Sequence, residues 1–380
     1  MKKFIILLLL IPAACKEAYD PPVVSTNYAF LVVEGFINSG PDSTVISLSH
    51  TYKLNDTSRV TAEPGATVTV EGSDASIYPL GEMGNGRYGA DITTLSPANQ
   101  YRLHIKTHAG KEYRSDFVPF KASPPIDSIN WRRTESGVEV DANTHDPQKK
   151  SVYYRWDYSE TWEFHSVYSS DFRYLPDLDT LVAWDDSFYT CWKTDTSSTI
   201  QLASSAKLGQ DVIYEAPMVV IPTNSWHISV EYSILVKQYV LTENAYNFWL
   251  NMQRNTEQIG SIFSPQPSEL AGNIHSLTDS AEQVIGYISA GSLQKQRIFI
   301  KPEDIPNWKT ENYPNSCYLI TLIGSHDSLR DYLGADPNLL PTTIDPGLQP
   351  MIPPFRYDFS DKYCVDCTQT GTNNKPSFWP

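Results

Sequence analysis

From residue 28 to about residue 120 apolar and polar positions alternate in short runs. Ile46 and Leu48 alternate with Ser47 and Ser49. Ala66, Val68 and Val70 alternate with Thr67 and Thr69, and Tyr101, Leu103 and Ile105 with Arg102, His104 and Lys106. A period of two sends successive side chains to opposite faces, so each run predicts a strand with one dry and one wet face. Phe30–Val33 is the exception, an unbroken apolar run before Gly35. Pro64-Gly65 and Gly84-Asn85-Gly86 punctuate the runs as turns. Strands of this kind, closely spaced and half polar, predict an antiparallel β-sandwich of about seven strands over 27–121.

Ala122-Ser123-Pro124-Pro125 reads as a linker, and the alternation then restarts. Ile129 and Trp131, then Val138 and Val140, then Tyr154, Trp156 and Tyr158 around Arg155 and Asp157, predict three further strands. Ile228, Val230, Tyr232 and Ile234 predict another. Between them, 164–222 reads as a long insertion rich in Asp, Tyr and Trp. One helix is signalled over 242–259. Thr242 stands as N-cap, Leu241 and Tyr246 form a hydrophobic staple, and Ala245, Phe248, Trp249 and Met252 share one face before Gly260. The chain is therefore expected to be mainly β, with two antiparallel β-sandwich modules. The first, 27–121, resembles prealbumin-like or Ig-like sandwiches. The second, 126–380, resembles a fibronectin type III module carrying insertions, one amphipathic helix and a disulfide-bearing tail.

The N-terminus follows a different pattern. Lys2 and Lys3 precede an apolar run, Phe4–Ile11, and then Pro12-Ala13-Ala14-Cys15. A cationic start, a short apolar core and small residues make a signal peptide, 1–14, and the run is too short for a spanning helix. Ala-Ala-Cys resembles a bacterial lipobox, so Cys15 is expected to carry the lipid and to begin a tether, 15–26. Lys16 and Glu17 follow the cysteine; an Asp there would signal retention at an inner membrane, so the outer membrane is the expected location.

Composition narrows the function. The formal charge is −15 over 380 residues and becomes −17 once Lys2 and Lys3 are removed. Such a chain lacks the Lys and Arg excess that neutralises phosphates, which excludes nucleic acid as a partner. Beyond Cys15 the cysteines are Cys191, Cys317, Cys364 and Cys367. Outside the cytoplasm four cysteines imply up to two disulfides, with three possible connectivities. Cys364-Val-Asp-Cys367 lacks the strand-to-helix setting of a redox-active pair, and no second close pair or His-x₃-His supports zinc.

The motifs of serine hydrolases, zinc proteases, P-loops and dinucleotide sites are not present. Gly324-Ser325-His326-Asp327-Ser328 contains the triad residue types, but triads converge from separated positions. No catalytic residues, cofactor or metal are therefore assigned. The strongest signal for a ligand is the insertion, where Trp184, Trp192, Asp185 and Asp186 combine aromatic faces with carboxylates suited to a sugar. The spacing does not fit an EF-hand loop.

Several features occur in a fixed order. They are the lipobox, Gly65-Ala66, Gly86-x-Tyr88, Tyr101-x-Leu103, Pro125-x-Asp127-Ser128-Ile129, the 242–260 helix, Pro267-Ser268, Gly272-Asn273-Ile274, Gly286-Tyr287, Cys364-x-x-Cys367 and Lys375-Pro376-x-Phe378-Trp379. In that order they resemble the domain-of-unknown-function 4249 family, outer-membrane lipoproteins of the Bacteroidota. The resemblance implies no activity. It implies a lipid-anchored binding or accessory module, partnered with a TonB-dependent outer-membrane transporter; a surface glycan-binding protein is the alternative, and an exported hydrolase comes third.

Overall fold

The computed structural model describes residues 29–52, 61–170, 172–175, 178, 180–183, 188–257, 272–310, 313, 316–324, 326–336, 338–342 and 355–380. Cys15, the signal peptide, the tether, Gly260, Pro267, Trp184, Asp185 and Asp186 lie outside the described residues. Within them the chain is mainly β, with 25 strands and three α-helices.

The alternation in the first hundred residues does place the core. Leu31, Val33, Ile37, Ile46, Leu48, Val68, Val70, Leu103 and Ile105 are all buried, and their polar neighbours face out. The expected open sandwich is, however, a closed ring. Leu31–Asn38 pairs with Thr44–His50, then Arg87–Ala90, Ile77–Gly84, Thr67–Gly72 and Gln100–Lys106 follow, each antiparallel to the last. Gln100–Lys106 also pairs with Val118–Ala122. The gap between Val118–Ala122 and Leu31–Asn38 is filled by Ala290–Ser292, parallel to both. Eight strands thus close on themselves, and a ring of that size is filled by its own side chains.

Closure uses residues far along the chain. Ile274–Ser276 pairs with Glu112–Ser115, and Val284–Ile285 lies parallel to the start of Leu31–Asn38. The segment 274–292, expected inside the second module, is therefore built into the first. Its runs of two or three residues are too short to show a period. Gly286 marks the closest approach: with φ +144°, its ideal Cβ would sit 2.1 Å from the Val33 carbonyl oxygen, so only glycine lets the two backbones meet.

In the second module Ile126–Arg133, Gly137–His145 and Val212–Pro222 form a three-stranded sheet. Thr190–Thr196, Tyr153–His165, Glu231–Val240 and Gln294–Ile300 form a second sheet, with Gln201–Ser204 beside Tyr153–His165. Both sheets share one core, in which Val138, Val140, Tyr154, Trp156, Trp162, Tyr232 and Ile234 are buried. Two expectations change here. Thr190–Thr196, Gln201–Ser204 and Val212–Pro222 are framework strands, so the insertion is shorter than 164–222. Thr-rich or Pro-interrupted, they lack clean alternation. The strand expected from Ile228 begins at Glu231, because Trp226–Ile228 makes a 3₁₀ turn capped by the Ser225 hydroxyl.

The helix is Glu243–Glu257. The Thr242 Oγ1 accepts from the Ala245 N–H at 3.2 Å, and Ala245 and Phe248 are buried while Trp249 is covered by the Arg155 guanidinium, 3.9 Å from its ring centroid. Thr242→Ala removes the cap acceptor and is expected to lower stability by about 1 kcal/mol, measured by urea unfolding.

The join between the modules is buried. Ser123 and Pro124, expected as a linker, are covered, and Phe36 meets Tyr239 edge-on at 5.0 Å across the join. A further small sheet of Ile320–Gly324, Phe355–Asp361 and Leu339–Pro341 carries the helix His326–Ala335, whose Leu333 packs on Phe359.

Candidate binding cleft

The far end of Tyr153–His165 brings together what the sequence scattered. Along its inner face Trp162 and Phe164 meet Trp226 edge-on, at centroid distances of 5.5 and 5.0 Å. His227 stacks on Trp162 at 3.9 Å. Burial pushes the His227 imidazole below its ordinary pKa, as it does His165, which stacks on Tyr189. Both rings are therefore held neutral and act as flat, weakly polar surfaces.

One strand-turn inward, Glu160 points into the same interior. Burial raises its pKa, against the lowering effect of the Tyr232 hydroxyl, which donates to Glu160 Oε2 at 2.6 Å. Asp195, directly opposite on Thr190–Thr196, raises it further.

Two disulfides close this end. Cys191 joins Cys367, and Cys317 joins Cys364. Two of the three connectivities open to four cysteines send the members of the CxxC to different partners, and the fold adopts the one that joins Cys367 to Cys191 and Cys364 to Cys317. Both halves of the motif pin the tail, one to a sheet edge and one to the segment before Ile320.

The tail then runs across the outer face of the sheet. Thr372 and Trp192 exchange backbone hydrogen bonds at 2.8 and 2.9 Å, covering the edge of Thr190–Thr196. Further along, the Trp379 indole N–H donates to Glu163 Oε2 at 2.9 Å, and its ring meets Phe299 edge-on. The Arg297 guanidinium lies 3.6 Å from the Phe378 ring centroid. Phe378 and Trp379 thus dock back on the sheet.

Between the disulfides lies a cleft walled by Phe164, Trp226, Tyr313, Tyr363, Cys317 and Cys367. The space open to the centre of a water molecule is about 20 Å³, room for about one ordered water. As it stands the cleft is too small for a sugar ring. It is a seam of aromatic and sulfur groups with Tyr363 half exposed at its mouth.

Away from the cleft, His50, His104 and His145 spend ring nitrogens on Glu63, Glu71 and Asp127. Among the described residues no group of three His, Cys, Asp or Glu is placed to hold a metal ion.

The family model described as Domain of unknown function (DUF4249) matches residues 16–297. The chain belongs to this family. The match spans the closed ring and the shared core of the second module. It stops short of Cys317, Cys364, Cys367 and the docked tail, so of the cysteines that pin the DUF4249 chain's cleft only Cys191 lies in the matched region. No curated protein matches. Among solved structures the chain is similar to the chicken interferon gamma receptor alpha chain at 13% identity, covering 56% of this chain and 90% of that one with a TM-score of 0.14. A likeness at that level carries no argument about fold or function.

The sugar platform expected in the DUF4249 chain does not hold at its one described member. Trp192 is 8% exposed, with its indole N–H buried and without a partner, because the tail crosses it at Thr372. Trp184, Asp185 and Asp186 lie outside the described residues. The aromatic wall that the structure does assemble uses Phe164, Trp226, Tyr313 and Tyr363. Sequence reading missed it because those residues come from four separate segments far apart along the chain.

Proposed function

We propose that the protein is an exported, lipid-anchored binding module of an outer membrane that acts on a partner by contact, without catalysing a reaction. The observation that carries this reading is the pairing of all four cysteines beyond Cys15 in two disulfides, which form and persist in oxidising compartments. The N-terminal pattern up to Cys15 supplies the address, and acylation there would give a stable hold where one short chain would not.

The partner we infer is a protein of that membrane, a TonB-dependent transporter first, met by the loops of the two modules. The second module is read here as a fibronectin type III-like sandwich. Its sheets group 126–133, 137–145 and 212–222 against 153–165, 231–240 and 294–300, in the alternating order of that fold. The ring module serves as its stiff mount, since the junction between them is buried.

Labelled palmitate tests the anchor. The wild type is expected to take up label and sediment with outer membranes, and Cys15→Ser to lose both. Unlabelled, cytosolic wild-type protein would remove the reading. Recovery of a membrane transporter from detergent extracts at native expression tests the partner; recovery of the protein alone counts against it.

A further inference from the structure

A second cluster lies outside the cleft, where the 146–152 turn meets the start of Val212–Pro222. Asp146, Ser151, Tyr154, Ser205 and Asp211 are each at most 8% exposed. The chain is tied there by backbone hydrogen bonds, Asp146 N–H to Asp211 O at 3.1 Å and Ser205 N–H to Val152 O at 3.0 Å.

The side chains form one network. The Ser205 hydroxyl donates to Asp211 Oδ1 by a short hydrogen bond, and the Tyr154 hydroxyl reaches the same oxygen at 3.4 Å. Ser151 lies within hydrogen-bond reach of both Asp146 and Tyr154. Asp146 accepts from the Gln148 and Lys150 N–H groups at 2.8 and 3.0 Å. Burial works against its ionisation, but these donors and Ser151 outweigh it and hold the carboxyl below its ordinary pKa.

One atom is left over. Asp211 Oδ2 is buried and has no hydrogen-bond partner. His145, the nearest titratable base along the chain, is committed to Asp127 at 2.8 Å. Among the described residues no Lys or Arg forms an ion pair with Asp146 or Asp211. Asp211, buried without a cation and with one bare oxygen, carries an uncompensated desolvation cost. The atoms offered are all hard oxygens: carboxylate, phenol, hydroxyl and carbonyl.

We propose that Asp211 and Asp146 frame a site for a single hard cation of the Ca²⁺ type, with Asp211 Oδ2 as the direct anionic ligand. Ca²⁺ accepts six to eight oxygens in irregular arrangements, so two carboxylates suffice when hydroxyl, carbonyl and water oxygens complete the shell. Zinc and copper do not suit the set, which contains neither sulfur nor imidazole. The cation would lock the 146–152 turn to the 205–211 approach, joining the two sheets of the second module at one end.

The test uses the full chain stripped with chelator, and Tb³⁺ and Ca²⁺ as probes. Tyr154 lies beside the site, so excitation of tyrosine should sensitise Tb³⁺ emission, and Ca²⁺ should quench it by displacement with a stoichiometry of one. At about a hundred-fold excess over its Kd, Ca²⁺ should raise Tm by about 5 °C. Asp211→Asn keeps the shape and every other carboxylate, and should lose both responses. A Ca²⁺ response equal in wild type and Asp211→Asn would place the ion on the acidic surface and overturn the proposal. So would a wild type that shows no saturable heat on Ca²⁺ titration, which would leave water as the partner of Asp211. That second measurement needs no variant and stands even if Asp211→Asn does not fold.

Discussion

Replacing the buried Cys191 and Cys367 together by alanine should be strongly destabilising. The two cysteines are 176 residues apart, and in the chain-entropy account a loop of that length corresponds to about 5 kcal/mol. The 47-residue loop closed by Cys317 and Cys364 corresponds to about 4 kcal/mol. Alanine is the right replacement because both Cys191 and Cys367 are buried and a serine hydroxyl would add a polar group without a partner. The local consequence is as specific as the energy. Without the Cys191–Cys367 bond the tail is held at its start by Cys364 alone, and the Thr372, Phe378 and Trp379 contacts become a weak strap. Guanidinium unfolding of the oxidised variant should show a lower midpoint. Tryptophan emission should shift to longer wavelength under native conditions as Trp192 and Trp379 meet water. Non-reducing peptide mapping checks the premise: a peptide linking Cys191 to Cys364 would show that the tail is threaded differently and would remove the prediction's basis.

The tail also shows where reading a sequence stops. Periodicity placed the central part of the first module's core, since Ile46, Leu48, Val68, Val70, Tyr101, Leu103 and Ile105 each face inward as their alternation demands. The Thr242 cap was equally legible, because a cap is a local event within four residues. Ring closure was not legible. It depends on Ala290–Ser292 docking beside Leu31–Asn38, across some 250 residues of chain, and a three-residue strand has no period to read. The same reason hid the cleft. Its walls are single aromatics from separate segments, and only the disulfide pairing says that they meet. The insertion misled by composition: a run of Asp, Tyr and Trp looks like one surface, yet Trp192 belongs to a framework strand under the tail. The buried carboxylates Asp146 and Asp211 were lost among 44 acidic residues, since nothing local marks an acid as buried.

Gln238→Leu should cost about 4 kcal/mol, nearly as much as the long disulfide, although the two side chains are similar in size. Gln238 sits on Glu231–Val240 at a core position, fully buried among Tyr232, Ile234, Val236 and Val240. Its amide is spent completely. Oε1 accepts from the Trp156 indole N–H at 3.0 Å, and Nε2 lies 2.8 Å from the Pro124 carbonyl, 3.1 Å from Thr144 Oγ1 and 3.2 Å from Ser123 Oγ. Leucine leaves the Trp156 N–H buried without a partner and the Pro124 carbonyl with only the long 3.4 Å bond from the Ser123 hydroxyl, at about 2 kcal/mol each. Ser123 and Pro124 are the join to the ring module, so the loss should also loosen the angle between modules; limited proteolysis near residue 123 should quicken. Gln238→Glu separates hydrogen bonding from packing. The carboxylate can still accept from Trp156 but faces the Pro124 carbonyl without a donor, and burial favours its protonated form. A carboxyl whose folded pKa is raised binds a proton more tightly in the folded state than in the unfolded one, so this variant should gain stability relative to wild type as pH falls from 7 toward 4. Equal midpoints for wild type and Gln238→Leu in urea would mean that the amide network contributes nothing net, and that the junction is held by its other contacts, Phe36 on Tyr239 among them.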